Sequence, residues 1–331
     1  MPNRELFHVP LRPVAGSRFQ PAGFPDIGAA LFDRPVTNGD GTPGWERCLV
    51  LESSQSMANH LEATAWDTGA QAPMAAVAGL PYVRVVDERG EYLTSSRTEA
   101  HRLASAFVKD AMLDGEDIKV VIKERLGLRD DTPLSPRDIA AAVFAMDPMC
   151  LVHGVFFAQT DKVWPGQPKI ARALSAFVEA HDVQEAISGG VKRDDVRHST
   201  KEAVGGASEG YGSVPFHRTE YVAREIEASF VLDLEQIGSY GLPEPATELL
   251  AAVARWEIRS LLDRGFRPRT ACDLEIAEPE AVASLPALDA LTDDVRALVA
   301  RCGDLLADAE PMEVVWDRTK HSKKPKGEVA A

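Results

Sequence analysis

The sequence predicts an α+β fold, and three observations predict it. Strand-like and helix-like segments interleave without a regular βαβ rhythm, hairpin signals recur, and the clearest helical pattern, from Pro245 to Arg264, is bracketed by strand patterns. The chain is long enough to close a core: 331 residues, 45% hydrophobic and 26% charged, is an ordinary globular balance for two domains or one domain with large insertions.

Taken in order, Phe7, Val9 and Leu11 alternate as a strand does, and a loop rich in Gly, Pro and Arg follows to residue 24. Asn38 to Trp45 is turn-dense. Cys48 to Leu51 reads as a buried strand feeding a helix over Met57 to Trp66, with serines at its start. Tyr82 to Val86 and Glu91 to Thr94 flank Asp87-Glu88-Arg89-Gly90, a hairpin with a short turn. Two helical segments are expected between Glu99 and Leu126, and Ser135-Pro136-Arg137-Asp138 opens another helix that Pro148 should end. Cys150 to Phe157 is β-branched and aromatic enough to predict a central strand. Arg172 to His181 and Thr219 to Leu234 both read as extended, the second with Ile226, Ala228, Phe230 and Leu232 on one face. Between them, Ser188 to Pro215 is rich in glycine and charge, the composition of a protruding hairpin or mobile loop. Strand, helix and strand then recur to Val315, and no internal repeat is visible. The pattern makes an enlarged ferredoxin-like or RRM-like core the natural candidate.

Composition excludes several classes. No run approaches the ~18 apolar residues of a membrane span, and Met1 to Arg12 lacks the layout of a secretory signal, so a cytoplasmic protein is expected. Cys48, Cys150, Cys272 and Cys302 are isolated, the spacing of buried free thiols rather than of a zinc or redox site, and the eight histidines form no helical pair, so neither metal nor cofactor is implied. No nucleophile elbow, Walker loop or dinucleotide fingerprint is present, so no residue is assigned a catalytic role. The net charge of −15 opposes generic nucleic-acid binding, unless the basic residues are gathered on one surface.

Four segments have the residue types to hold a sugar-phosphate chain. At the strand-to-helix turn, Ser53, Ser54, Gln55, Ser56, Asn59 and His60 surround helix-start amides that attract anions, although simple capping explains the serines equally. In the opening loop, Arg18, Phe19 and Gln20 could clamp a phosphate and stack a base, or Phe19 could be core and Arg18 a surface charge. The glycine-rich segment from Gly189 to Arg218 carries Lys192, Arg193, Arg197, Lys201 and Arg218, five basic residues against four acidic, with His217 beside them. Finally, Arg264 closes the clear helix, and Arg267 and Arg269 alternate after it, so they should point the same way as phosphate contacts or as salt-bridge partners.

The order of eight segments is more specific than any one: GSRFQPAGFPDIGAA (Gly16 to Ala30), LESSQSMANHLEATAWD (Leu51 to Asp67), GLPYVRV (Gly79 to Val85), TSSRTEAHRLAS (Thr94 to Ser105), SGGVKRDDV (Ser188 to Val196), GYGSVPFHRTEY (Gly210 to Tyr221), SYGLPEPATELL (Ser239 to Leu250) and RPRTACDLE (Arg267 to Glu275). Together they resemble the CRISPR-associated RAMP backbone protein of type I-U, now I-G, systems, from about residue 6 to residue 276. The resemblance implies one RRM-like domain over residues 1–316, with helical insertions at about 95–148 and a β-hairpin thumb at about 185–217; by its basic, proline-containing composition the tail 317–331 is expected to be disordered. The resemblance also implies a non-catalytic subunit that lines up with further copies of itself along CRISPR RNA, each thumb displacing a guide nucleotide, so that the guide pairs with target DNA. The other partners it implies are a fused repeat-processing and cap subunit, a large subunit and a recruited helicase-nuclease, which does the cutting; no membrane is implied. One departure is that the double glycine many RAMP proteins carry near their C-terminus is not evident after Gly265. The alternative within the superfamily is a metal-dependent endoribonuclease cutting target RNA through a loop aspartate, for which Asp26 is the candidate.

Overall fold

The structure is a computed structural model and describes residues 3–24, 28–158, 163–194, 212–269, 271–306 and 310–316. The expected tip of the glycine-rich hairpin with Arg197 and Lys201, the loop aspartate Asp26, and the basic tail 317–331 lie outside the described residues.

Strand β1 (Arg4–Pro13) is followed by an antiparallel pair, β2 (Leu31–Thr37) and β3 (Pro43–Glu52), and then by helix α1 (Ser54–Thr64). A hairpin of β4 (Val83–Val86) and β5 (Tyr92–Ser95), with Gly90 at φ +80° in its turn, leads to α2 (Ile118–Arg125) and α3 (Pro136–Met146). Two long strands follow, β6 (Leu174–Asp194) and β7 (Gly212–Asp233), then α4 (Glu244–Arg264), β8 (Phe266–Arg269), β9 (Cys272–Ile276), α5 (Leu288–Cys302) and β10 (Met312–Val315). The α+β class is therefore what the fold shows. The main sheet runs β8-β9-β1-β7-β6-β3-β2 with antiparallel neighbours throughout.

The alternation of β1 decides its orientation. Phe7, Val9 and Leu11 are buried against the helices, whereas Leu6, His8 and Arg12 are exposed on the opposite face. Helix α4 is buried over most of its circumference, because the sheet, α1 and α5 all pack against it. Glu244 and Pro245 occupy its first turn, and Gly265 ends it at φ +63°, a conformation costly for any residue with a Cβ. A continuous cluster of buried apolar side chains extends from Phe7 to Val314.

One expectation is corrected. Cys150 to Phe157 is not a central strand: Met149–His153 is helical, and only Val155–Phe156 is extended, paired with Lys169–Ile170. Pro148 sits in the helical region at φ −58°, ψ −27°, and Asp147 Oδ1 accepts the Met149 N–H at 3.1 Å, so the Asp-Pro pair starts a helix after ending α3. The stretch from Glu99 to Leu126 holds the two expected helical segments, a four-residue helix at Ala106–Lys109 after a 3-10 turn at Arg102–Ala104 and then α2, separated by a small hairpin of Met112–Leu113 with Glu116–Asp117. Strand β10 pairs in parallel with β4, a long-range contact with no local signature. Among the described residues no helix is long and apolar enough to cross a membrane.

Candidate nucleic-acid interface

The β6–β7 ladder continues from Leu174 opposite Leu232 out to Asp194 opposite Gly212. Its inner part is flanked by β3, paired as far as His181, and by β1, paired with Leu11 opposite Ile226. Further out the ladder is a two-stranded ribbon, touched at its base by the opening loop: Phe19 and Tyr221 exchange both backbone hydrogen bonds at 2.9 Å. Ile187 and Val191, two residues from Gly189 on either side along the same strand, are exposed on this ribbon.

That bridge sets Arg18 beside Glu220. The Arg18 guanidinium lies 3.2 Å from the Glu220 carboxylate and that of Arg218 lies 3.5 Å from its other oxygen. The carboxylate is nearly buried, with 8% of its side chain exposed, while the two arginines are 60% and 46% exposed. One acid thus anchors two solvent-facing cations, while Glu185, exposed opposite Tyr221, adds a second acid to the ribbon's base. His217 is exposed next to Arg218. Lys192 and Arg193 lie on the outer β6 backbone, opposite Val214 and Ser213.

Arg269 connects this region to the start of α1. Its Nη1 donates to Gln20 O at 3.0 Å, and its Nη2 donates to Leu51 O at 3.0 Å and to the Glu52 carboxylate. Gln20 N–H in turn donates to Ala271 O at 3.0 Å. Glu52 is 1% exposed and immediately precedes Ser53, whose Oγ accepts the Ser56 N–H at 3.3 Å to cap α1. No acidic residue occupies the first turn of α1, Gln55 and Asn59 are exposed, and Ser54, Ser56 and His60 are half-buried. The His60 ring packs 5.6 Å from Phe266, and burial holds its pKa below the ordinary histidine value; Glu52 opposes that shift and Arg269 adds to it. Contacts therefore run without a break from Arg218 through Glu220, Arg18, the opening loop and Arg269 to the capped start of α1.

Two roles read from sequence do not survive this geometry. Phe19 is fully buried, so its ring has no face to offer a base and belongs to the core. Arg269 spends its donors on Gln20, Leu51 and Glu52, which makes it a clamp on the opening loop rather than a phosphate ligand. The expected common direction of Arg267 and Arg269 also fails. The β8–β9 register slips between Phe266 and Arg269, and Arg267 bonds Asp273 at 2.9 Å on the exposed edge instead. Glu220 and Glu52 were missed by sequence reasoning; an acid two residues after Arg218 and an acid ending a buried apolar strand were the available signals.

The sheet face opposite the helices has the reverse character. Glu179 and Glu227 stand directly across from each other on β6 and β7, with Glu225 two residues along. His8 Nδ1 lies 3.2 Å from Glu227, and His181 Nε2 lies 3.6 Å from Glu179, while the face's arginines, Arg4, Arg12 and Arg34, are matched to Asp233, Glu275 and Glu46. All four cysteines are buried and free.

A family model described as CRISPR-associated protein GSU0053 matches residues 6–185, which is 180 of the 331 residues. No curated protein matches the chain. Among solved structures, a chain of a "CRISPR RNA-guided surveillance complex, pre-nicking" is similar at 12% identity and a TM-score of 0.36, over 78% of this chain and 68% of that one.

Proposed function

Because this chain belongs to the CRISPR-associated protein GSU0053 family, we propose that it is a non-catalytic backbone subunit of a type I-G surveillance complex, which grips CRISPR RNA through its phosphates and leaves sequence reading to the RNA. The main sheet serves as an RRM-like palm: β1, β6, β7 and β9 lie side by side in the order β9-β1-β7-β6, with α1 between β1 and β6 in the chain and α4 between β7 and β9, the arrangement of a ferredoxin-like core. The outer β6–β7 ribbon is the thumb, on a single domain reaching to residue 316. Further copies of the chain, a fused repeat-processing and cap subunit, a large subunit and a helicase-nuclease are its partners in the cytoplasm, and target DNA is met only through the guide.

The observation that carries this reading is the doublet of Arg18 and Arg218 on one nearly buried carboxylate, joined by continuous contacts to a helix start free of acids. A phosphate oxygen can replace solvent on either guanidinium without unpairing Glu220, since the second arginine still holds it. Gln20, Ser53, Ser54, Gln55, Ser56, Asn59, His60, Lys192, Arg193 and His217 extend the same track on either side. The acidic opposite face keeps RNA off the remainder of the sheet by repulsion.

The test is equilibrium binding of single-stranded RNAs of unrelated sequence across a salt series. Replacing Arg18 and Arg218 by Ala should weaken every RNA about equally, and should flatten the plot of log affinity against log salt by about 1.4, two contacts at ~0.7 each. A loss confined to one sequence, or an unchanged salt slope, contradicts phosphate gripping by this doublet.

A further inference from the structure

The N-terminal half of β1 is covered along one edge only. That edge pairs with β7 from Arg4 to Leu11, whereas the other meets β9 only from Leu11 to Pro13. Pro10 shows which residues turn their peptide groups toward the second edge. Its carbonyl accepts the Ala277 N–H at 2.8 Å, so Leu6 and Arg4, in step with it along the strand's alternation, aim theirs the same way. Among the described residues no strand receives them. Along this open edge lies a groove of about 1070 Å³, lined by residues 3–7 of the edge itself, by Ala251 and Ala252 of α4 and by Leu291 and Leu298 of α5. Ion pairs occupy most of its charges: Arg255 holds Glu5 at 2.6 and 2.8 Å, Arg301 holds Glu248 at 2.6 Å, and Arg4 holds Asp233 at 2.9 Å. Glu235 and Asp294 also line the groove, both exposed, and neither has an ion-pair partner among the described residues; the cation that feels Asp294 is Arg255, already held by Glu5.

We propose that this edge takes an extended segment of a partner protein, added antiparallel to β1, with apolar side chains at alternate positions and lysine or arginine between them. The site stands apart from the RNA-gripping doublet, since Arg4 pairs with Asp233 at the far end of β7 from Arg218. Peptide groups left open on a sheet edge are complemented by another extended backbone, which supplies donors and acceptors at the same spacing. The antiparallel sense follows from the main sheet, whose neighbours are all antiparallel. Alternation follows from the pleat. On one side of the added strand, side chains meet Ala251, Ala252, Leu291 and Leu298, where the two alanines leave room for apolar groups. On the other side they stand beside Leu6, whose side chain is 57% exposed, on the face that carries Glu179 and Glu227. A lysine there lays its apolar stem over Leu6 and brings positive charge to an acidic face. The unmatched Glu235 and Asp294 select for the same sign.

The experiment follows the fluorescence anisotropy of a labelled, end-blocked peptide, Lys-Val-Lys-Val-Lys-Val-Lys, titrated with the full-length chain. In an antiparallel addition the lysines lie on the Leu6 side and also turn their N–H groups to β1. N-methylating the two inner lysines should therefore weaken binding about tenfold, while N-methylating two valines changes it by less than about twofold. Charge is identical in the two peptides, so general attraction to an acidic protein cannot separate them. Leu6→Pro deletes the edge-facing N–H and leaves the β7 ladder in place, as Pro10 does in the same alternation, and should also weaken the peptide about tenfold. Absence of saturable binding, equal losses from the two methylations, or parent-like binding by Leu6→Pro overturns the proposal, and the methylation pair decides even where that variant folds poorly. Self-association of the chain that Leu6→Pro abolishes assigns the edge to a second copy and overturns the separate partner. Tighter peptide binding after Arg318, Lys320, Lys323, Lys324 and Lys326 are all changed to Ser assigns the edge to this chain's own tail, with the same consequence.

Discussion

The two ends of the β6–β7 hairpin are built from the same pair of strands in one continuous register, yet they do different work. At the inner end Ala176, Val178, Ala228, Phe230 and Leu232 are buried beneath α1 and α4, and neighbouring strands satisfy both edges of the pair. Outside, among the described residues, neither edge is extended by a neighbouring strand, Ile187 is 65% and Val191 62% exposed, and two arginines at the base are held by a carboxylate below them. The ladder transmits position from one end to the other, so a rigid core aims a ribbon that contributes little to the core's stability. Net charge follows the same division. An acidic chain can carry a cationic track because its carboxylates either lie beneath arginines, as Glu220 and Glu52 do, or face away, as Glu179 and Glu227 do.

The comparison breaks if the inner end is dispensable. Phe230 is fully buried, and Phe230→Ala should cost ~3–5 kcal/mol from lost transfer energy and an unfilled cavity, measured by urea denaturation. A loss below 1 kcal/mol means the inner ladder does not anchor the ribbon. Next in size is the clamp. Arg269→Ala leaves Glu52 buried without its cation and frees Gln20, for a cost of about 3 kcal/mol. Because that cost is to the fold, Arg269→Ala together with Glu52→Gln should recover part of it, whereas no recovery would show that the pair is not what holds the opening loop.

Much of this division was legible in the sequence, for physical reasons. Alternation placed Phe7, Val9, Leu11 and the inner half of β7 on a buried face, because a half-buried strand has a period of two. The order of eight short segments pointed to the CRISPR-associated family that the match over residues 6–185 establishes. What was not legible depended on distant partners. Arg18, Arg218 and Arg269 read alike, but Arg269 meets a carboxylate 217 residues away in sequence and is used up there. Phe19 read as a possible stacking ring because nothing local tells that Tyr221 will bridge its backbone and draw the ring inward. Cys150 to Phe157 had strand propensity throughout, and an Asp-Pro cap overrode it.

A smaller effect sharpens the boundary between clamp and track. Burial lowers the pKa of His60 in the folded chain, so below the ordinary histidine value of ~6.5 the unfolded chain binds more protons than the folded one. Stability from this group is complete above the unfolded value and is lost as pH falls through the folded one. His60→Gln should therefore flatten the decline of stability below pH ~6.5, as followed by thermal unfolding over a pH series. An identical decline in the variant would assign the acid sensitivity to other groups.

The smallest effect is the most discriminating for the outer ribbon. Replacing Ile187 and Val191 together by Thr keeps β-branching, and hence strand preference, while removing apolar surface that water already covers. Because neither side chain is buried, stability should stay within about 0.5 kcal/mol of the parent. A cost of several kcal/mol would mean that the ribbon folds back onto apolar surface in solution, and that its outer half belongs to the core after all. Unchanged stability with an altered tendency to self-associate would instead place this apolar face at a contact between copies, where its exposure in one chain has a purpose.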